Sequence, residues 1–223
     1  MQRHFEIELN KIQQELLRMG GIAENMVRDA VKSVLNRDGE LAAGVIEQDT
    51  AVDTLENQIE QSCILFMARH QAAASDLRLL SIVLRINRDL ERIADKSVNI
   101  AKRSLELLQH PPVKPFIDLA RVTTIVQGMV QDSLDAFVNR DEVLAEAVRD
   151  RDSQVDEIYN HSVEELLELI GSQPILLRPG ISILLLFRHL ERIGDLAANM
   201  CEEVYYLVKG EVLRHKDTNN PSS

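Results

Sequence analysis

Four pairs of carboxylates four residues apart recur between the two halves of this chain: Asp49 with Asp53 and Asp152 with Asp156, and Glu91 with Asp95 and Glu191 with Asp195. At that spacing two side chains leave an α-helix from nearly the same side, so each pair stacks its oxygens along one stripe. Asn99 and Asn199 extend two of the stripes by a further step, and Asp89 and His189 stand two residues ahead of them as candidate supporting groups. Like charges so placed destabilise a helix by roughly a few tenths of a kcal/mol, so something must offset the repulsion. One offset is a cation, because hard cations and iron accept several carboxylate oxygens and paired carboxylates can bridge adjacent ions. The other is ion pairing: Arg88 and Arg92 flank Glu91, Arg188 and Arg192 flank Glu191, and exposed helices carry such solvated networks. A single pair would decide nothing. Two pairs per half would form one oxygen-rich site per half if the helices carrying them pack side by side.

Other chemistries find little support. Ferritin-like di-iron enzymes need Glu-x-x-His on paired helices, and none of the six histidines has a glutamate three residues earlier. No phosphate-cradling P-loop, Gly-x-Ser-x-Gly elbow or dinucleotide-binding glycine pattern is present, which leaves a carboxylate-bridged metal enzyme as the last catalytic alternative. Cys63 and Cys201 lack the spacing of a zinc or redox motif and read as buried, reduced thiols. A net charge of -11 argues against general nucleic-acid binding. The same charge would repel phosphate unless a metal or a local arginine cluster intervened.

The elements that must position these stripes are helices. Glycine and proline are scarce, tryptophan is absent and aliphatic residues dominate the apolar content. Apolar residues recur at helical spacing over Phe5 to Leu35, Leu41 to Met67 and Leu77 to Leu108, then Phe116 to Val138, Glu142 to Ile170 and Pro174 to Lys209. Asn36-Arg37-Asp38-Gly39 supplies turn and cap residues, Ser75 or Asp76 is placed to cap the third helix, and Gly171 to close the fifth. The longest apolar run, Ile181 to Phe187, is far below the roughly 20 residues of a membrane span. It, like Met26 and Met129, reads as packing between helices.

The chain also repeats itself. Met26-Val27-Arg28-Asp29 matches Met129-Val130-Gln131-Asp132, and Asn36-Arg37-Asp38 matches Asn139-Arg140-Asp141, both 103 positions on; Asp89-Leu-Glu-Arg-Ile-Ala-Asp95 returns as His189-Leu-Glu-Arg-Ile-Gly-Asp195 after 100. Two long copies suggest paired domains rather than a solenoid. The expected organisation is therefore all-α, two tandem antiparallel three-helix bundles over 1–110 and 116–213, each burying its own core. They are joined by a Pro-rich linker at 111–115, where three prolines cannot continue a helix, and followed by a polar, disordered tail at 214–223.

The duplicated Glu-x-x-x-Asp signature, the Asp49-x-x-Val52-Asp53 and Asp152-x-x-Val155-Asp156 segments, the Asn-Arg-Asp turns and Asp76-Leu77-Arg78 together resemble the PhoU family over about residues 3 to 210. What the resemblance implies is a cytoplasmic, non-enzymatic and often dimeric regulator that restrains phosphate uptake and the phosphate-starvation response. Its implied partners are the ATPase of the phosphate ABC transporter and a phosphate-sensing membrane histidine kinase, which would recruit it to the inner face of the membrane without insertion. It further implies multinuclear iron or zinc at Glu91, Asp95, Glu191 and Asp195, with Asp49, Asp53, Asp152 and Asp156 as companions. A metal-free helical adaptor remains the alternative. His189 in place of Asp89 would leave the second site one carboxylate poorer.

Overall fold

In a computed structural model, described over residues 2–70, 73–113 and 117–210, the chain folds into six long α-helices. They are α1 (Gln2–Asn36), α2 (Gly39–Arg69), α3 (Ala74–Leu108), α4 (Ile117–Asn139), α5 (Glu142–Ser172) and α6 (Leu177–Lys209), with no strand among the described residues. The first three pack on one another, as do the last three, so the duplication reads directly as two antiparallel three-helix bundles. Lys114 and Pro115 of the expected linker, Phe116 at the expected start of the second bundle, residues 211–213 at its expected end and the tail at 214–223 lie outside the described residues.

The repeated Asn-Arg-Asp turns explain the register of the halves. After α1 the chain closes with a bond from Asp38 N–H to Ser33 C=O, and after α4 with one from Asp141 N–H to Ala136 C=O. These are the six-to-one bonds of a Schellman closure, which needs a left-handed residue just past the helix. Arg37 (φ 54) and Arg140 (φ 52) take that conformation, although glycine is its usual occupant. Arg37 gains compensating bonds, because its guanidinium donates to the carbonyls of Leu108 (3.1 Å) and His110 (2.9 Å) at the C-terminal end of α3. Asp38 and Asp141 then cap α2 and α5, accepting from Leu41 N–H and from Val143 and Leu144 N–H.

Three helix ends differ from expectation. The helix expected from Pro174 starts instead at Leu177, behind a single 3-10 turn over Pro174–Leu176. Started at Pro174, it would have placed Pro179 sixth, where its missing N–H would break the ladder. Started at Leu177, Pro179 is third, and the first four N–H groups have no intrahelical partner anyway. Gly171 does not close α5, which runs on to Ser172 and ends at Gln173 with an ordinary negative φ. Neither Ser75 nor Asp76 is the cap of α3; Ala73 holds that place, and Asp76 reaches back to accept its N–H at 3.1 Å.

The expectation of two separate cores is also revised. One continuous apolar core takes residues from all six helices, including Leu16, Met26, Phe66, Ile86, Met129, Phe187 and Met200. The halves meet where α3 lies antiparallel to α6 and α1 against α4. The α3–α6 seam has a polar rim: Arg85 forks onto Glu203 at 2.8 and 2.9 Å, Ser182 Oγ donates to Glu106 at 3.1 Å, and Arg78 lies over the Tyr206 ring. Gly20 lets α1 approach α4, since a Cβ there would run into Leu134. Cys63 and Cys201 are buried free thiols, which burial pushes up to about 12.

Candidate metal-binding faces

In each half the second and third helices lie side by side, and the acidic stripes face one another across the groove between them. In the first half, the ionisation of Glu91 on α3 is opposed by burial and then by Asp95, Glu56, Asp53 and Asp49, which together push it up to about 6. Asp49 on α2 is raised by burial, by Asp53 and by Asp95 on α3. Mutual repulsion of this kind requires the carboxylates to share one space. In the second half, Asp152 on α5 is pushed up to about 6 by burial, Asp195 and Asp156, and Glu191 is raised by burial and Asp195 against the pull of Arg188 and Arg192. The helices touch here. Asp152 Oδ1 lies 3.5 Å from where a Cβ would stand at Gly194, between Glu191 and Asp195 in the chain.

Among the described residues, ion pairing is distributed unequally between the halves. In the second, Arg188 pairs with Glu191 and Arg192 with Asp195, both at 2.7 Å. In the first, Arg92 turns instead to Asp89 at 3.6 Å, and Glu91, Asp95, Asp49 and Asp53 make no ion pair among the described residues. One residue lies outside the pairs expected from spacing: Glu56, raised by burial and by Asp53, completes the α2 stripe of the first site. Its position, three residues beyond Asp53 on the same helix face, was the available signal. The position 103 further on is Tyr159, which packs under the Arg188 guanidinium. The second site is therefore one carboxylate poorer at Tyr159 rather than at His189.

Asp89 and His189 do not support these sites. Two residues from Glu91 and Glu191, they point roughly 200° away around the helix and meet the seam between the halves. Asp89 is raised to about 6 by burial, with Arg92 opposing and Glu203 of α6 adding to it; His189 is lowered to about 4 by burial and by Lys96 and Arg103 of α3. Asn199 lines the cleft with Asp152 and Asp195, as the stripe spacing requires.

The donor set suits a hard or borderline cation, being all carboxylate oxygen. Glu191, 8% exposed, has an Oε2 with no hydrogen-bond partner, met only by Arg192 Nε at the ion-pair distance of 3.7 Å. The fit is not a closed cage: among the described residues, no three of the eight stripe carboxylates bring ligand atoms within 4.8 Å of one another. Asp118, His161 and Glu165 do so elsewhere.

Fold and site together define a duplicated all-helical bundle protein with an acidic groove in each half. The PhoU domain family model matches residues 16–104 and 119–204. Among curated relatives, the phosphate-specific transport system accessory protein PhoU homolog of Pseudomonas aeruginosa is 37% identical over 214 residues, spanning 96% of this chain and 88% of that protein. That of Aquifex aeolicus is 34% identical, spanning 94% and 95%. The crystal structure of PhoU from Pseudomonas aeruginosa superposes with a TM-score of 0.90 at 37% identity, covering 93% of this chain and 100% of that one. The phosphate transport system regulatory protein PhoU from Streptococcus pneumoniae gives 0.86 at 29% identity, covering 94% and 99%. This chain belongs to the PhoU family.

Proposed function

We propose that this chain is a negative regulator of phosphate uptake and of the phosphate-starvation response. It acts as a cytoplasmic, dimeric adaptor between the ATPase of the phosphate ABC transporter and a phosphate-sensing histidine kinase. The relatives' names, phosphate-specific transport system accessory protein, support the transport connection. No helix of the described residues is long and apolar enough to cross a membrane, which fits recruitment through partners. The reading is non-enzymatic: a rigid pair of bundles regulates by binding one partner conformation more tightly than another.

The single observation that carries the metal part of this reading is the first-half groove, where Asp49, Asp53, Glu56, Glu91 and Asp95 crowd one space with no ion pair to neutralise them among the described residues. Lys102 pulls on Asp49 and Arg88 on Glu56 without forming an ion pair; iron or zinc held by those oxygens would place positive charge within the groove and tie α2 to α3. In the second half Asp152, Asp156, Glu191 and Asp195 are the corresponding holders. The arginine pairs there favour a second reading, a metal-free adaptor using the same faces.

Elemental analysis of untagged protein separates the two, comparing wild type with Glu91→Ala/Asp95→Ala and Glu191→Ala/Asp195→Ala. Stoichiometric iron or zinc lost half by half supports the metal-bound form; trace metal unaffected by either change supports the metal-free one. The regulatory role itself fails if deleting the protein leaves phosphate-responsive gene expression unchanged in high phosphate.

A further inference from the structure

We propose that Asp118, His161 and Glu165 form a separate mononuclear site for a borderline divalent cation such as Zn2+, clipping α4 to α5 in the second half. The three side chains bring one ligand atom each to within 4.8 Å of one another, and His161 Nε2 lies 3.5 Å from Glu165 Oε1. A tetrahedral zinc centre holds its ligand atoms roughly 3.4 Å apart, from bonds near 2.0–2.2 Å, so closure needs only small side-chain rotations. His161 and Glu165 are one helical step apart on α5, and Asp118 stands in the first turn of α4. The set of one imidazole and two carboxylates matches borderline transition cations and disfavours magnesium or calcium, which prefer all-oxygen shells. Water would fill the open positions, since the imidazole and the Glu165 carboxylate are exposed.

The same three positions converge in the other half, which makes the meeting a property of the backbone rather than of chosen rotamers. Residues 103 earlier are Glu15, Gln58 and Ser62, and all three line one cleft between α1 and α2. There a single carboxylate remains, and Lys11 approaches it at 3.9 Å. Among the described residues, only the second half places three metal-ligating groups in this geometry. The site is distinct from the acidic groove: His161 is nine residues past Asp152, roughly 180° around α5.

The test is a Zn2+ titration of the chelator-stripped full chain, following each histidine imidazole by NMR and bound zinc per chain by elemental analysis. The His161 signals are expected to shift saturably, in wild type and equally in Glu91→Ala/Asp95→Ala and in Glu191→Ala/Asp195→Ala. Asp118→Asn and Glu165→Gln should each weaken that response at least tenfold, and His161→Gln should lower the high-affinity zinc count by one. His161 and Glu165 are exposed and Asp118 is partly buried, and circular dichroism verifies the fold. The proposal is overturned if His161 moves only at excess zinc together with the other histidines, or if Asp118→Asn and Glu165→Gln leave its response unchanged.

Discussion

Metal-stripped protein should become more stable when Glu91 is replaced by glutamine, an unusual direction for a half-buried residue. In the unfolded chain this carboxyl ionises near 4.5, whereas in the fold burial and its acidic neighbours push it up to about 6. Each tenfold change in acid dissociation corresponds to about 1.4 kcal/mol, so ionised Glu91 carries about 2 kcal/mol of excess cost in the folded state. The groove is partly open to solvent, and screening reduces that to about 1 kcal/mol. Proton counting fixes the sign. Between about pH 4.5 and 6 the folded chain holds more protons than the unfolded one, so stability falls as pH rises through that window and stays low above it. Urea unfolding of wild type and Glu91→Gln should differ by about 1 kcal/mol in favour of the variant at pH 7.5. The difference should shrink as pH falls and vanish below pH 4.5, where the carboxyl is protonated in the folded and unfolded chain alike and both side chains are neutral. A variant less stable than wild type at pH 7.5, or a gap indifferent to pH, would refute the crowding of carboxylates on which the first-half site rests.

Gly20→Ala should cost about 1 kcal/mol in urea unfolding, because overpacking against Leu134 outweighs the gain in helix propensity, whereas Gly21→Ala, with open space around it, should gain about 1 kcal/mol. Equal effects at the two sites would mean that α1 and α4 do not approach closely. Arg37→Ala keeps the left-handed strain and loses both carbonyl bonds, so it should destabilise by about 1 kcal/mol more than Arg37→Gly, which sheds the strain; thermal unfolding of the two variants decides it. His189, lowered to about 4, should stay neutral by NMR until nearly that pH. Its contribution is fully present above pH 6.5 and is lost as pH falls from 6.5 towards 4; an imidazole titrating near 6.5 would place it in solvent rather than at the seam.

The stripes and the duplicated turns are legible in the sequence because both depend on short-range spacing. Carboxylates at i and i+4 share a face wherever a helix forms, and Asp38 and Asp141 cap because a helix-forming segment begins immediately after each. The hidden part depends on which face turns where. Arg92 and Arg192 both have an aspartate three residues on, but only Arg92 has one three residues back, Asp89 where the second half has His189, so the unequal ion pairing of the halves has its signature at i, i+3 spacing rather than in the i, i+4 pairs. Glu56 sits three residues past Asp53, and its own i, i+4 partner is Glu60, a pair that the second half does not repeat. Asp89 and His189 are close to Glu91 and Glu191 along the chain but not around the helix. Pro174 suggests where α6 begins, yet Pro179 decides it. The Asp118, His161 and Glu165 cluster joins two helices and leaves no local pattern.

The seam between the halves has a consequence for how the chain is made. Its partners are far apart in sequence, Gly20 with Leu134 and Arg85 with Glu203, and contacts of such long range form slowly. Domains emerge from the ribosome N-terminal part first, so α1 to α3 are complete while the flank of α3 that α6 will cover still faces solvent. That flank stays uncovered until Lys209, the last residue of α6, has been added. A ribosome stalled in the second half would therefore hold out a folded but sticky first bundle. The chain's exposure to aggregation is set by the time taken to translate its last helix.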